Sequence, residues 1–188
     1  MTTPAPARPI TAEEFLHMPE SDGAELLDGV IVEKNVGFES SWLESEILAL
    51  LTAFLRGKRL GRALGPQAGY RLWPARPNHL RKPDVSFVSS AALGPGPLPK
   101  GWSQIRPDLV VEVVSPNDEA DELERKLADY REAGIPLIWV IYPGTRAAQV
   151  LTPTTRFDVF PSGTLDGDDV LPGFALSLEE LFRGLDEE

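Results

Sequence analysis

The stretch Asp108-Leu109-Val110-Val111-Glu112-Val113-Val114 limits the fold more than any other in the chain. It reads as a strand of sheet core with a carboxylate near its centre. A second strand, Pro83-Asp84-Val85-Ser86-Phe87-Val88, repeats the pattern. Taking an ionised carboxylate out of water costs several kcal/mol unless a partner or a metal compensates. Strand side chains alternate faces, so Asp84, Ser86 and Val88 share one side of the earlier strand. Asp108, Val110, Glu112 and Val114 share one side of the later strand. If the two strands are neighbours, Asp84 and Glu112 converge on one point.

A helix follows, from about Glu119 to Ala133, with Gly134 as its C-terminal stop and Pro136 just beyond. At about 100° per residue, Lys126 falls inside the apolar arc of Leu123, Leu127 and Tyr130, while Arg125 lies opposite. The helix therefore aims Lys126 at the sheet. Leu137 to Tyr142 is a continuous apolar run, as expected of a strand buried on both faces.

Upstream, Thr11 and Glu14 form a capping box for a short helix. Asp28-Gly29 predicts a hairpin turn within Glu25 to Lys34. Leu43, Ile47, Leu50, Leu51 and Phe54 predict a helix over Ser40 to Leu55, with Ser40 or Ser41 as cap. Gln67 to Trp73 reads as a strand and the proline-rich Ala91 to Pro107 as a loop. Gln149 to Phe160 reads as a further hairpin and Leu178 to Phe182 as a last short helix. The expected fold is α/β: a central mixed β-sheet flanked by helices, with β-hairpins added at the N- and C-terminal ends.

The chain has 188 residues, enough for one domain, expected over 11–188 after a loose leader at 1–10. Cysteine is absent, which excludes disulfides, thiolate zinc sites and cysteine nucleophiles. No apolar stretch near the N-terminus suits a signal peptide or membrane span, so a cytoplasmic protein that does not enter membranes is expected. The net charge of −11 argues against general adhesion to nucleic acid. Yet Arg56, Lys58, Arg59, Arg62, Arg71, Arg76, Arg81 and Lys82 follow one another with no acid between them. That run is either a solvated face or a local footprint for phosphates.

Two carboxylates and an ammonium group on one site suit phosphodiester hydrolysis. Magnesium is hard, prefers oxygen, and is commonly held by one or two carboxylates. It neutralises phosphate charge and acidifies a bound water, and a nearby lysine can stabilise the charge that develops. The competing reading is a buried Glu112–Lys126 ion pair that only ties helix to sheet.

The phrases GAELLDGVIV (23–32), RKPDVSFV (81–88), PDLVVEVVSPND (107–118), ERKLADYREAGIPLIWVI (124–141) and LDGDDVLPGF (165–174) run through most of the chain. In that order they resemble the Uma-two family of restriction-endonuclease-like proteins, within the PD-(D/E)XK nuclease superfamily. The resemblance implies a restriction-endonuclease-like fold and a DNA endonuclease dependent on Mg²⁺ or Mn²⁺. It implies Asp84 and Glu112 as metal ligands, the Val113 carbonyl as a third, and Lys126 as the catalytic lysine moved to the following helix. The superfamily's usual lysine position holds Val114 here. Where many members have a histidine near the start of the long first helix, this chain has Glu39, Ser40 and Ser41.

Glu25 and Glu46 are auxiliary candidates, weighed against a hydrogen-bonding role for Glu25 and a solvent-facing one for Glu46. Arg76, Arg81 and Lys82 run into Asp84 and are candidate nucleic-acid contacts. His79, five residues before Asp84, is a weaker one. Trp73 suits base stacking or core, and Trp139 suits core. A homodimer is expected, because cutting both strands of a duplex takes two sites. The rivals are a catalytically inactive nucleic-acid-binding or regulatory module of the same fold, and a glycosidase using the same acid pair.

Overall fold

The computed structural model describes residues 8–34 and 37–186. The elements are α1 (Ala12–Phe15), β1 (Ala24–Leu27), β2 (Val30–Glu33), α2 (Phe38–Leu55), β3 (Gly61–Leu64), β4 (Val85–Ser89), α3 (Ser90–Leu93), β5 (Leu109–Val113), α4 (Ala120–Glu132), β6 (Leu137–Tyr142), β7 (Ala147–Leu151), β8 (Arg156–Val159), β9 (Thr164–Asp166), β10 (Ala175–Ser177) and α5 (Leu178–Arg183). A six-stranded sheet runs in the order β3-β4-β5-β6-β7-β8. Only β5 and β6 are parallel, joined through α4, so the sheet is mixed.

Alternation sorts the sheet's two faces. Val85, Phe87, Val111, Val113, Trp139 and Ile141 point into a core closed by α2, α5 and the β9–β10 pair. Val110, Ile138 and Val140 point the other way, against Leu127 and Tyr130 of α4. Helices thus cover both faces, which is why β5 and β6 read as near-continuous apolar runs. Among the described residues, no helix is long and apolar enough to cross a membrane.

The turn signals behave as their chemistry requires. Asp28 and Gly29 both take positive φ, 51° and 86°, and close β1 onto β2. Thr11 and Glu14 form the predicted capping box. Gly134, at φ 71°, follows α4. The hairpin expected at 149–160 is β7–β8, and it joins the main sheet as its edge.

Three expectations are corrected, and a fourth lies mostly outside the described residues. Gln67 to Trp73 is not a strand: Tyr70 makes single bridges to Arg81 and Ser103, and no ladder extends from them. The strand paired with β4 is β3, formed by a stretch with little strand character. Gly61 is needed there, because a Cβ would run into the Val88 carbonyl and the Phe87 ring. Helix α2 begins at Phe38 with Gly37 as cap, and Ser40 Oγ, one turn inside, accepts the Gly37 N–H at 3.0 Å. The leader at 1–10 lies outside the described residues as far as residue 7. Its end is tied down, since the Ile10 N–H donates to the Gly29 carbonyl at 2.9 Å.

Candidate active site

Val85 of β4 faces Val111 of β5, so one step further the antiparallel register sets Asp84 against Glu112. Both acids lie on the α4 face, and both line a cavity of about 350 Å³. Lys34, Glu44, Ser40, Val113, Ser115 and Lys126 are among its walls. Sheet geometry holds Asp84 directly: its Oδ2 accepts the Val113 N–H at 2.8 Å. Its Oδ1 lies 2.6 Å from the Lys34 ammonium, which comes from the end of β2.

Glu112 is held from the helix. Lys126 Nζ donates to Oε2 at 2.6 Å and the Tyr130 hydroxyl to Oε1 at 2.6 Å, one helical turn further along α4. Burial, and then the Asp84 charge, push the Glu112 carboxyl up to about 7 against the pull of Lys126. Burial alone would lower the Lys126 ammonium. Glu112, Glu25 and Asp84 outweigh it and hold this group well above the usual lysine range. Lys126 is therefore a fixed cation, and Tyr130, raised by burial and by Glu112, stays a phenol donor.

Behind the acids runs a second tier. Glu25 Oε1 lies 3.4 Å from Lys126 Nζ and accepts the Lys82 N–H at 2.7 Å, while Oε2 takes Arg81 at 2.8 Å. Burial pushes Glu25 upward, but Lys126, Arg81 and Lys34 bring it below the usual carboxylate range. Arg81 also reaches Asp129 Oδ2 at 2.8 Å and Glu122 at 3.0 Å. Asp129 in turn accepts from Arg76 at 2.8 Å and faces His79 Nε2 at 2.9 Å. Glu25 is thus brought to the site as the residue that positions Lys126 through a direct charge contact.

Arg81 and Lys82 do not form a surface for nucleic acid. Each is only 2% exposed. Lys82 gives its ammonium to the Ser21 carbonyl, and Arg76 is engaged by Asp129 and Glu132. Counter-charges on α4 and β1 draw this run inward. His79 is equally buried, with its ring nitrogens facing Asp129 and Asp28. Trp73 packs edge-on against His79 and gives its N–H to the Asp129 carbonyl, so no ring face is left for a base. Trp139 is core.

Glu46 is not among the residues that line the cavity, and Glu44 is. Burial, and then Asp84, push Glu44 up to about 7. Lys34 and Tyr130 also escaped the sequence. Tyr130 was readable from the same helical arc as Lys126, whereas Lys34 reaches Asp84 from a hairpin 50 residues away.

The chain matches the model of the Uma2 family, described as putative restriction endonucleases, over residues 12–179. It belongs to that family. A crystal structure described as a putative nuclease of DUF820 from Anabaena variabilis ATCC 29413 superposes with a TM-score of 0.77 at 22% identity. The match covers 94% of this chain and 99% of that one, so the Uma2 chain described here shares its nuclease-like fold. No curated protein matches the chain.

A divalent cation can be tested against this donor set. Among the described residues, no group of three or more histidine or acidic side chains is spaced to hold a metal ion. Zinc or calcium cages are built that way, whereas magnesium keeps most of its waters and takes one or two carboxylates. Each oxygen of Asp84 and Glu112 has one partner here and keeps a second lone pair. The cavity walls contain more carboxylates, Glu25, Glu44, Asp84 and Glu112 among them, than the cations Lys34, Arg81 and Lys126 can neutralise. The residues fit a hard, hydrated cation.

Proposed function

We propose that this Uma2 protein is a Mg²⁺- or Mn²⁺-dependent endonuclease that hydrolyses phosphodiester bonds in DNA. The observation that carries the reading is the opposition of Asp84 and Glu112 on one face, at one cavity, with Lys126 2.6 Å from Glu112. Asp84, Glu112 and the Val113 carbonyl would hold the ion. Once bound, it would neutralise phosphate charge and supply an acidified water.

The chain's own residues do the rest. Because Lys126 is held as an ammonium, it cannot take a proton from water. It donates instead, to a phosphate oxygen on which charge develops. Glu112 and Glu25 fix its position, and Tyr130 fixes Glu112. Glu44 faces the same space as a carboxyl that changes charge near neutrality.

One observation favours a second reading, a catalytically silent module of the same fold: both acids already have an internal ammonium partner, Lys34 and Lys126. Supercoiled plasmid separates the two. With Mg²⁺ or Mn²⁺ the wild type should convert it to nicked or linear product, and Asp84→Ala should be inactive. If the two proteins behave alike, the nuclease reading is wrong. Cutting both strands requires two such sites, so light scattering at micromolar concentration should give the mass of a homodimer. A strictly monomeric mass would limit the activity to nicking.

A further inference from the structure

The fold splits the basic run between Arg56 and Lys82 into two populations. Arg71 pairs with Glu13, Arg76 with Asp129 and Glu132, and Arg81 and Lys82 are interior. The remaining four, Arg56, Lys58, Arg59 and Arg62, are exposed. Among the described residues, none of these four forms an ion pair with a carboxylate. The Lys58 ammonium lies 3.1 Å above the centre of the Phe54 ring, a cation–π contact that supplies no counter-charge. The neighbouring α3 contains no acid, and Asp108, beside the end of β4, is engaged by the Ser89 N–H at 2.8 Å.

Compensation of the α2 C-terminal dipole accounts for Arg56 and Lys58, which follow that helix directly. It does not account for Arg62, which stands on the edge strand β3. The cavity offers a polyanion no attraction of its own, since its walls contain more carboxylates than cations. Four unneutralised cations on a chain of net charge −11 are therefore the strongest local attraction for phosphate.

Two rulers gauge the interval between this cluster and the cavity that Glu44, Asp84 and Glu112 line. Along α2, Glu44 and Arg56 are separated by about 18 Å at ~1.5 Å per residue. Along β4, Asp84 and Ser89 are separated by roughly 17 Å at ~3.3 Å per residue. Ser89 is the register partner of Gly61, next to Arg62. Phosphates of one duplex strand advance by about 3.4 Å, so this interval corresponds to about five nucleotides.

We propose that Arg56, Lys58, Arg59 and Arg62 anchor the phosphate backbone of duplex DNA about five nucleotides from the bond presented to Asp84 and Glu112. The proposal rests on the nuclease reading above. Its test compares wild type, the variant R56A/K58A/R59A/R62A, and R56K/R59K/R62K, which keeps all the charge. Duplex affinity is followed by fluorescence anisotropy over a salt series, plasmid cleavage is measured alongside, and circular dichroism checks the fold.

The alanine variant should bind a duplex of about 20 base pairs at least tenfold more weakly. Its log–log salt slope should be shallower by about 0.9 for each phosphate that is no longer neutralised. The lysine variant should bind as wild type does. Wild type should prefer the long duplex to one of about six base pairs, and the alanine variant should lose that preference. Unchanged affinity and slope in the alanine variant, with wild type still cleaving, would overturn the anchor and leave the nuclease reading standing. A wild type that neither binds nor cleaves duplex would remove both.

Discussion

Replacing Arg81 with methionine should destabilise the protein by about 3–5 kcal/mol, the usual cost of breaking a buried ion pair from one side. Arg81 is the only side chain that bridges the hairpin's Glu25 and the helix's Asp129 among the described residues. Methionine fills much of the volume but leaves both carboxylates short of a counter-charge. Urea denaturation at pH 7 should show the loss as a lower midpoint. The pH dependence has a defined sign. Burial pushes the Asp129 carboxyl upward, but hydrogen bonds from His79, Arg76 and Arg81 outweigh it and hold Asp129 far below the usual carboxylate range. A depressed carboxylate contributes stability above its unfolded pKa of about 4, and that stability is lost as the pH falls through the native value. The gap between wild type and Arg81→Met should therefore be widest near neutrality and narrow below about pH 3. A gap that stays constant down to acid pH would show that packing, not charge, sets the cost.

Much of this site could be read in advance because its rules are local. Period-two alternation put Asp84 and Glu112 on one face, and the structure agrees through Ser86 and Val110 on the same side. Helical phase aimed Lys126 inward. What failed were choices that depend on partners distant in sequence. The Arg76–Lys82 run looks like surface charge until Glu25, Asp129 and Ser21 arrive from elsewhere and bury it.

Helix α2 misled for a different reason. Leu50 and Phe54 widen its apolar arc on the flank of Glu46, yet both are only partly buried. The fully buried line is Leu43, Ile47, Leu51 and Leu55, and its centre lies closer to Glu44, by roughly 80° at ~100° per residue. Only the packed structure distinguishes the two lines. β3 was missed because its glycine serves close approach, not strand propensity.

The two lysines that touch the acids should respond in opposite directions to removal. Lys126 orients Glu112 and lowers its carboxyl, so Lys126→Gln leaves a buried acid pushed further up. A carboxyl must be ionised to hold a cation, so Mg²⁺ affinity by titration calorimetry should fall about 10–100-fold at pH 7 and recover in part as the pH is raised. Cleavage should fall further, by about 10²–10³, because the donor to the developing phosphate charge is also gone. Lys34 stands differently. Its ammonium occupies Asp84 Oδ1 at 2.6 Å and lowers the Glu112 carboxyl less than Lys126 does, and it must share or yield that oxygen when a cation arrives. Lys34→Gln should therefore tighten Mg²⁺ binding. Weaker binding in both variants would place Lys34 among the supports of the site. Binding unchanged in both would put the cation away from Asp84 and Glu112 and shift weight to the silent module.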